Sequence, residues 1–401
     1  MRPEAPALDR RRAERLRAAV AASTPPRRAP AIARELPPID RILGGEWIEG
    51  PCGPAFVRDA WHEPQHRYGR IALGAALRAP SRALEMLGGA SPAPHPSRCA
   101  FVDIETTGLG GAGTYVVIAG LGSFERDGFR MRQYFLADIA GERAMLAALA
   151  QDLARFDGIV TYNGRAFDVP VLESRFTVAG AGVRRLEQAH LDLLPPARRL
   201  YRHRLPGCRL VDLERALLGL ERFDDVPGAL VPSLYFGYVR AGRAAPLRPV
   251  FRHNADDVLA LVSLLASLAR LLTDDAPRPE DAAALARWHE HAGDIGRAMA
   301  LYRASLPWLE GSDDWRWAAW RHARLCLRAG ARGEALPLLH GLWAAGDPRA
   351  GLALAKHLEH RDRRYAAARE IATRLLLGAQ GRARAGLEHR LARLNKKLSA
   401  V

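Results

Sequence analysis

The spacing of apolar and polar positions changes several times along this chain, and the changes divide it. Residues 99–105 (CAFVDIE) and 114–124 (TYVVIAGLGSF) are apolar, β-branched runs, and 129–137 (FRMRQYFLA) reads as a third strand. Residues 142–156 (ERAMLAALAQDLARF) carry apolar side chains at helical spacing, and 158–163 (GIVTYN) returns to strand. FDVPVLESRF then opens a helix, with Pro170 tolerated in its first turn, and DDVLALVSLLASLARLL forms a last long one. Strands followed by alternating helix and strand predict an α/β domain over 99–272, a mixed sheet with helices on both faces.

The flanks read differently. Residues 1–38 combine arginines with TPPRRAP and ELPPID, the composition of a poorly ordered basic arm. Residues 39–98 hold short strand-like pieces (GEWIEG, AFVRDA) and a helix around SRALEMLG. They are too broken to carry a core and are expected to pack on the next domain. After APRPED the chain is nearly pure helix, and 279–401 is read as an all-α domain. Three of its stretches resemble one another, with small residues at Ala298, Ala335 and about Ala367. That period fits tetratricopeptide-like helical repeats, although their full signature is missing and a plain bundle remains the alternative. Six of the eight tryptophans fall here, which core packing explains.

Composition narrows the classes. The chain has 401 residues, 48% hydrophobic and 26% charged, which fits two or three globular domains and excludes wholesale disorder. No apolar run approaches the roughly 20 residues needed to cross a bilayer, and the N-terminus lacks a secretory apolar core. Four separated cysteines (Cys52, Cys99, Cys208, Cys326) contain no C-x-x-C pair, so reduced thiols and a cytoplasmic location are expected. Lys+Arg 59 against Asp+Glu 44 leaves +15, which suits a polyanionic partner. Only three of the basic residues are lysines, and a genomic bias toward Arg and Ala explains the excess equally well.

Three segments carry candidate chemistry. Gly108, Gly110 and Gly113 spell G-x-G-x-x-G, but strand rather than helix follows them, so a dinucleotide site is excluded by context. Asp103 and Glu105 in FVDIETTGL leave the same face of a strand, about 7 Å apart along the chain. Paired carboxylates repel unless cations bridge them, and hard Mg²⁺ or Mn²⁺ prefers oxygen ligands. The same letters also fit an exposed strand face. Asp168 in VTYNGRAFD stands at a helix start, where the helix dipole alone would favour an acid. His253 and Asp257 in HNADDVL are i and i+4 on one helix face, and His253 alone would equally suit a cap or a core.

Taken together, DIETTGL, N-x-x-x-F-D and H-N-x-x-D resemble the three motifs of the DEDD superfamily, the DnaQ-like 3′–5′ exonucleases of ribonuclease H-like fold. GGAGTYVV, VTYNGRAFDVPVLESRF, HLDLLPPARRLYRHRL, DDVPG and HNADDVLAL are similar more closely to the bacterial YprB-like (MrfB) exonucleases, over most of residues 40–272 and more loosely in the tail. The resemblance implies a ribonuclease H-like α/β domain and an acidic quartet of Asp103, Glu105, Asp168 and Asp257 holding two Mg²⁺ or Mn²⁺ ions. It implies His253 as the base, at the spacing that the tyrosine-type members use, and Asp257 rather than Asp256 as the ligand. Thr106, Gly108, Leu109 and Asn163 would lie beside the terminal nucleotide. Arg198, Arg199 and Arg202 are a candidate strand-binding face, with a merely solvated helix face as the alternative. Asp192, Asp224 and Asp225 look like family features without an assigned role. The activity implied is 3′–5′ exonucleolysis, on DNA in repair, with an RNA-processing nuclease using the same site as the first alternative and a protein partner such as a helicase for the repeats. A catalytically silent nucleic-acid-binding scaffold is the rival from another class.

Overall fold

The computed structural model describes residues 38–399, apart from positions 90, 109–112, 184 and 203. The expected basic arm therefore lies outside the described residues except for Pro38, and so does Leu109. The chain divides into two compact units between Asp274 and Asp275.

Among the described residues, the first unit is built on nine strands: β1 (Glu46–Gly50), β2 (Gly53–His62), β3 (Arg67–Tyr68), β4 (Ile71–Ala72), β5 (Cys99–Thr106), β6 (Val116–Glu125), β7 (Gly128–Phe135), β8 (Gly158–Thr161) and β9 (Ala189–Asp192). Seven form one sheet in the order β1-β2-β7-β6-β5-β8-β9. The pairs from β1 through to β5 are antiparallel, and β5-β8 and β8-β9 are parallel. This is the mixed sheet of a ribonuclease H-like domain. Residues 39–98 do more than pack on it. Ladder bonds from Phe56↔Phe135 to His62↔Phe129 make β2 a strand of the same sheet. Short pieces separated by glycine conceal such a partnership in the sequence.

The helices of this unit are α1 (Ile39–Leu43), α2 (Ser81–Gly88), α3 (Glu142–Leu153), α4 (Asp168–Ala179), α5 (Leu194–Tyr201), α6 (Leu210–Leu213), α7 (Val231–Ala241) and α8 (Arg248–Thr273). Side chains alternate along β5, so its two faces meet different partners. Ala100, Val102 and Ile104 join the main core with Leu146 and Leu149 of α3 and Leu172 and Phe176 of α4. Asp103 and Glu105 point the other way, to α8. That helix starts earlier than the sequence pattern suggests. Pro249 occupies its first turn, where a missing N–H costs nothing, so His253 and Asp257 sit inside the helix rather than at its opening.

The second unit is all helix: α9 (Pro279–His291), α10 (Ile295–Leu309), α11 (Asp313–Arg328), α12 (Arg332–Ala344), α13 (Pro348–His360), α14 (Tyr365–Leu377) and α15 (Gly381–Ser399). Alternate helices start at Pro279, Asp313, Pro348 and Gly381, steps of 34, 35 and 33 residues. The small residues at the helix contacts are Ala298, Ala335 and Ala368, all fully buried, one position beyond the Ala367 expected for the third. Trp315, Trp320 and Trp343 pack against buried leucines, as expected, whereas Trp308 is exposed.

The turn inside each hairpin needs one left-handed residue. Gly293 (φ 79°) and Gly330 (φ 78°) provide it in the first two hairpins, but Arg363 (φ 56°) stands there in the third. A side chain in that region costs about 1–2 kcal/mol. Arg363→Gly should therefore raise stability by up to about 1 kcal/mol. Denaturant melts of the two proteins check this, and a lower midpoint for the variant would mean that the arginine side chain outweighs the strain.

Candidate active site

Four carboxylates and one imidazole gather where β5 ends. Asp103 and Glu105 come from one face of β5, paired in register with Gly120 and Ile118 of β6. Asp168 reaches β5 from the first turn of α4, and its Oδ1 accepts from the Ile104 N–H at 3.2 Å. His253 and Asp257 come down from α8. The His253 Nε2 lies 3.5 Å from Glu105 Oε1 and 3.6 Å from Asp257 Oδ2. Thus Asp103, Glu105, Asp168, His253 and Asp257, spread over more than 150 positions of sequence, are neighbours in the fold.

Their charges press on one another. Burial, followed by Asp257, Asp168 and Glu105, holds the Asp103 carboxyl well above the ordinary carboxylate range, against the pull of an Asn254 hydrogen bond. Burial also pushes Glu105 up to about 8, with His253 opposing and Asp257, Asp168 and Asp225 adding. Burial takes Asp168 to about 7 although two backbone N–H groups favour its charged form. For His253, burial favours the neutral ring, but the Asp225 hydrogen bond, Asp257 and Glu105 outweigh it and bring the imidazole up to about 9.

The residues that hold this cluster were mostly not singled out from sequence. Asn254 is fully buried, and its Nδ2 donates to the Asp103 backbone oxygen at 3.0 Å and to Asp103 Oδ2 at 2.8 Å. Its Oδ1 accepts from Gln133 Nε2 at 2.9 Å, and Gln133 accepts in turn from Arg58 at 3.1 Å. A signal for Asn254 existed: it is polar on the face of α8 where Phe251, Val258 and Leu261 are buried. Gly120 makes room for it, since a Cβ there would stand 2.4 Å from Asn254 Oδ1.

Arg222 had no such signal, because its role depends on contacts distant in sequence. Its nearly buried guanidinium bonds Glu214 through Nε at 2.8 Å and Nη2 at 2.5 Å, and Nη2 also meets Asp257 Oδ1 at 2.5 Å. Tyr68 Oη donates to Glu214 at 2.8 Å. Asp225, from the DDVPG segment, bonds His253 Nδ1 at 2.6 Å and so turns Nε2 toward the carboxylates. Among the described residues, no three of these acids bring single oxygens all within 4.8 Å of one another.

The remaining candidates lie around this centre. Thr106 Oγ1 donates to the Gly108 oxygen at 2.6 Å, which ties the end of β5 to the loop that follows. Asn163 is exposed in a left-handed conformation (φ 66°), held by Asp192, whose Oδ1 accepts from its N–H at 2.8 Å. Asp192 also accepts from the Arg165 N–H at 3.0 Å, which accounts for its place in the pattern. Arg198, Arg199 and Arg202 are exposed along and just after α5. Of these, Arg198 is close enough to influence Tyr162, the residue before Asn163.

Acids from three segments converging on the central strand of such a sheet define a class, and comparison agrees with it. Residues 100–269 match a family profile described as RNase_H superfamily, so this stretch is a nuclease-like domain. The chain belongs to the family of YprB, an uncharacterised protein of Bacillus subtilis (strain 168), to which it is 31% identical over 313 residues, 75% of each chain.

Two outcomes follow from the geometry. Gly120→Ala should displace Asn254 from Asp103 and cost about 1–3 kcal/mol, read from denaturant melts; an unchanged midpoint would show that Asn254 has room to move. Glu105, Asp168 and His253 all have raised values, so each favours the folded state when protonated and loses that contribution as pH rises through its folded value. In chelator, the melting temperature should therefore fall progressively from about pH 4, the ordinary carboxylate value, to about pH 9, where the last of the three folded values lies. Added Mn²⁺ should restore it most at the upper end of that range. Equal Mn²⁺ stabilisation below pH 7 and above 9 would contradict the electrostatic account.

Proposed function

We propose that this protein is a metal-dependent 3′–5′ exonuclease acting in the cytoplasm, with DNA as its substrate in repair. The observation that carries this reading is the convergence of Asp103, Glu105, Asp168 and Asp257, where burial and then mutual repulsion hold Asp103, Glu105 and Asp168 above the usual carboxylate range. An all-oxygen donor set of this charge fits hard divalent cations. Two Mg²⁺ or Mn²⁺ ions there would supply Lewis-acid stabilisation of the charge that builds on attacking and leaving oxygens.

The chain's own groups divide the remaining tasks. His253, with Nδ1 held by Asp225, aims Nε2 at the carboxylates; with cations neutralising Glu105 and Asp257, which hold its extra proton, it would be free to accept the proton of the attacking water. Thr106, Gly108 and Leu109 would contact the last nucleotide, and Asn163 would hold its sugar or phosphate. The arginines 198, 199 and 202 would follow the strand's phosphates, to which guanidinium groups offer paired donors. The helical repeats would supply partner choice, a helicase being the partner class that the reading favours.

The test is cleavage of end-labelled single- and double-stranded DNA and RNA with Mn²⁺ or Mg²⁺. Stepwise shortening of DNA from the 3′ end supports the proposal. Preference for RNA would transfer the same site to RNA processing, and binding without cleavage would mean a silent scaffold. Asp257→Asn should lower the rate about 10³-fold, because a ligand's charge is worth several kcal/mol to the transition state. Asp256→Asn should stay near wild type, since Asp256 points to a different groove, lined by Arg41, Arg58 and Arg252. His253→Ala should cost roughly 10²–10⁴-fold while cation affinity survives. Equal losses in both aspartate variants would contradict the assignment of ligands.

A further inference from the structure

The helical unit holds a second cluster of ligand-type side chains, unlike the first in chemistry. His322 and Cys326 are i and i+4 on α11 and share a face, and both are buried. Glu334 enters from the first turn of α12, across the turn that Gly330 makes possible. Among the described residues, these three alone bring one ligand atom each within 4.8 Å of one another. The His322 Nε2 to Cys326 Sγ distance is 3.6 Å, Nε2 to Glu334 Oε2 is 3.2 Å, and Sγ to Oε2 is 3.8 Å.

Those separations are the edges of a coordination tetrahedron. A zinc ion lies about 2.3 Å from sulfur and about 2.0 Å from nitrogen or oxygen, which puts tetrahedral ligand atoms about 3.3–3.6 Å apart. One ion between the three atoms would satisfy all the bonds once the His322 ring turns to aim Nε2 at it, since Cys326 Sγ now lies nearly as close to Nδ1, at 3.8 Å, as to Nε2. We propose that His322, Cys326 and Glu334 bind one borderline-soft divalent ion of the zinc type, with the fourth position open to water on the exposed Glu334 side.

The surroundings suit this. Arg303 of α10 donates to Glu334 Oε1 at 2.6 Å and, more loosely, to Oε2 at 3.2 Å, which presents Oε2 to the other two ligands. Its side chain is more than half exposed, so it is free to yield the Oε2 contact. Binding would release the thiol proton to solvent, leaving thiolate and carboxylate to neutralise the ion's two charges. A thiolate and an imidazole select zinc-like ions over Mg²⁺. The acidic site of the first unit has the opposite preference, so the two sites would not compete. The ion would staple α11 to α12.

Cobalt(II) tests this on the intact, chelator-stripped chain, because a thiolate ligand produces a near-ultraviolet charge-transfer band that the all-oxygen and imidazole donors of the other site cannot give. One equivalent should raise that band together with the intense visible bands of a four-coordinate ion. Zn²⁺ should abolish both, and excess Mg²⁺ should leave them. Cys326→Ser should remove the charge-transfer band, Cys52→Ser should retain it, and Glu334→Gln, a change at a partly exposed side chain, should weaken Co²⁺ binding at least tenfold. Absence of the band in the wild type, its survival in Cys326→Ser, or unchanged affinity in Glu334→Gln would overturn the proposal.

Discussion

Four carboxylates cannot share the end of one strand without help, and the first unit is organised around supplying it. At 4 Å two like charges repel by about 4 kcal/mol at the effective dielectric of a protein surface. Each acid here is held by something that offsets this. Asp168 accepts a backbone N–H of β5, Asp103 accepts from Asn254, and Asp257 is paired with Arg222. Glu105 has the His253 ring beside it. Remove the sheet register and these partners separate, because each arrives on a different element.

The support reaches well beyond the first contacts. Asn254 is fixed by Gln133 of β7, and Gln133 by Arg58 of β2. The segment before β5 is thus wired to Asp103 through three hydrogen bonds. On the other side, Arg222 is oriented by Glu214, which Tyr68 also holds. A buried guanidinium with a bidentate partner is rigid, and removing either member leaves an uncompensated charge, commonly at a cost of 3–5 kcal/mol. Residues 39–98 and the loop around 222 therefore belong to the site's architecture as fully as the strand that bears the acids.

Much of this was legible in the sequence, and the exceptions share a cause. The strands from Cys99 to Thr161 and the helix over 142–153 follow local rules of periodicity, β9 was not visible, and the acids were picked out by the family resemblance of the motifs that carry them. The helical tail follows local rules too, since its repeat interval needs no partner to be visible. The membership of β2 in the sheet, the ties of Arg222 and the seat of Gly120 under Asn254 are tertiary facts, set by chain segments far apart. The early start of α8 lies between the two. Pro249 reads as a helix breaker until its place in the first turn is recognised. Asn254 could have been found as a polar residue out of phase on an apolar face; Asp225 stands out with the DDVPG segment, but its bond to His253 is not visible there.

The central claim is that these acids form one site for a pair of divalent ions. Electron paramagnetic resonance of Mn²⁺ titrated into the full chain tests it without any assay of cleavage. The account predicts two ions bound per chain, with the exchange-coupled spectrum of neighbouring Mn²⁺ centres, reduced to an uncoupled signal when Asp168 is changed to Asn. A single uncoupled ion in the wild-type protein, or coupling that survives loss of Asp168, would contradict it.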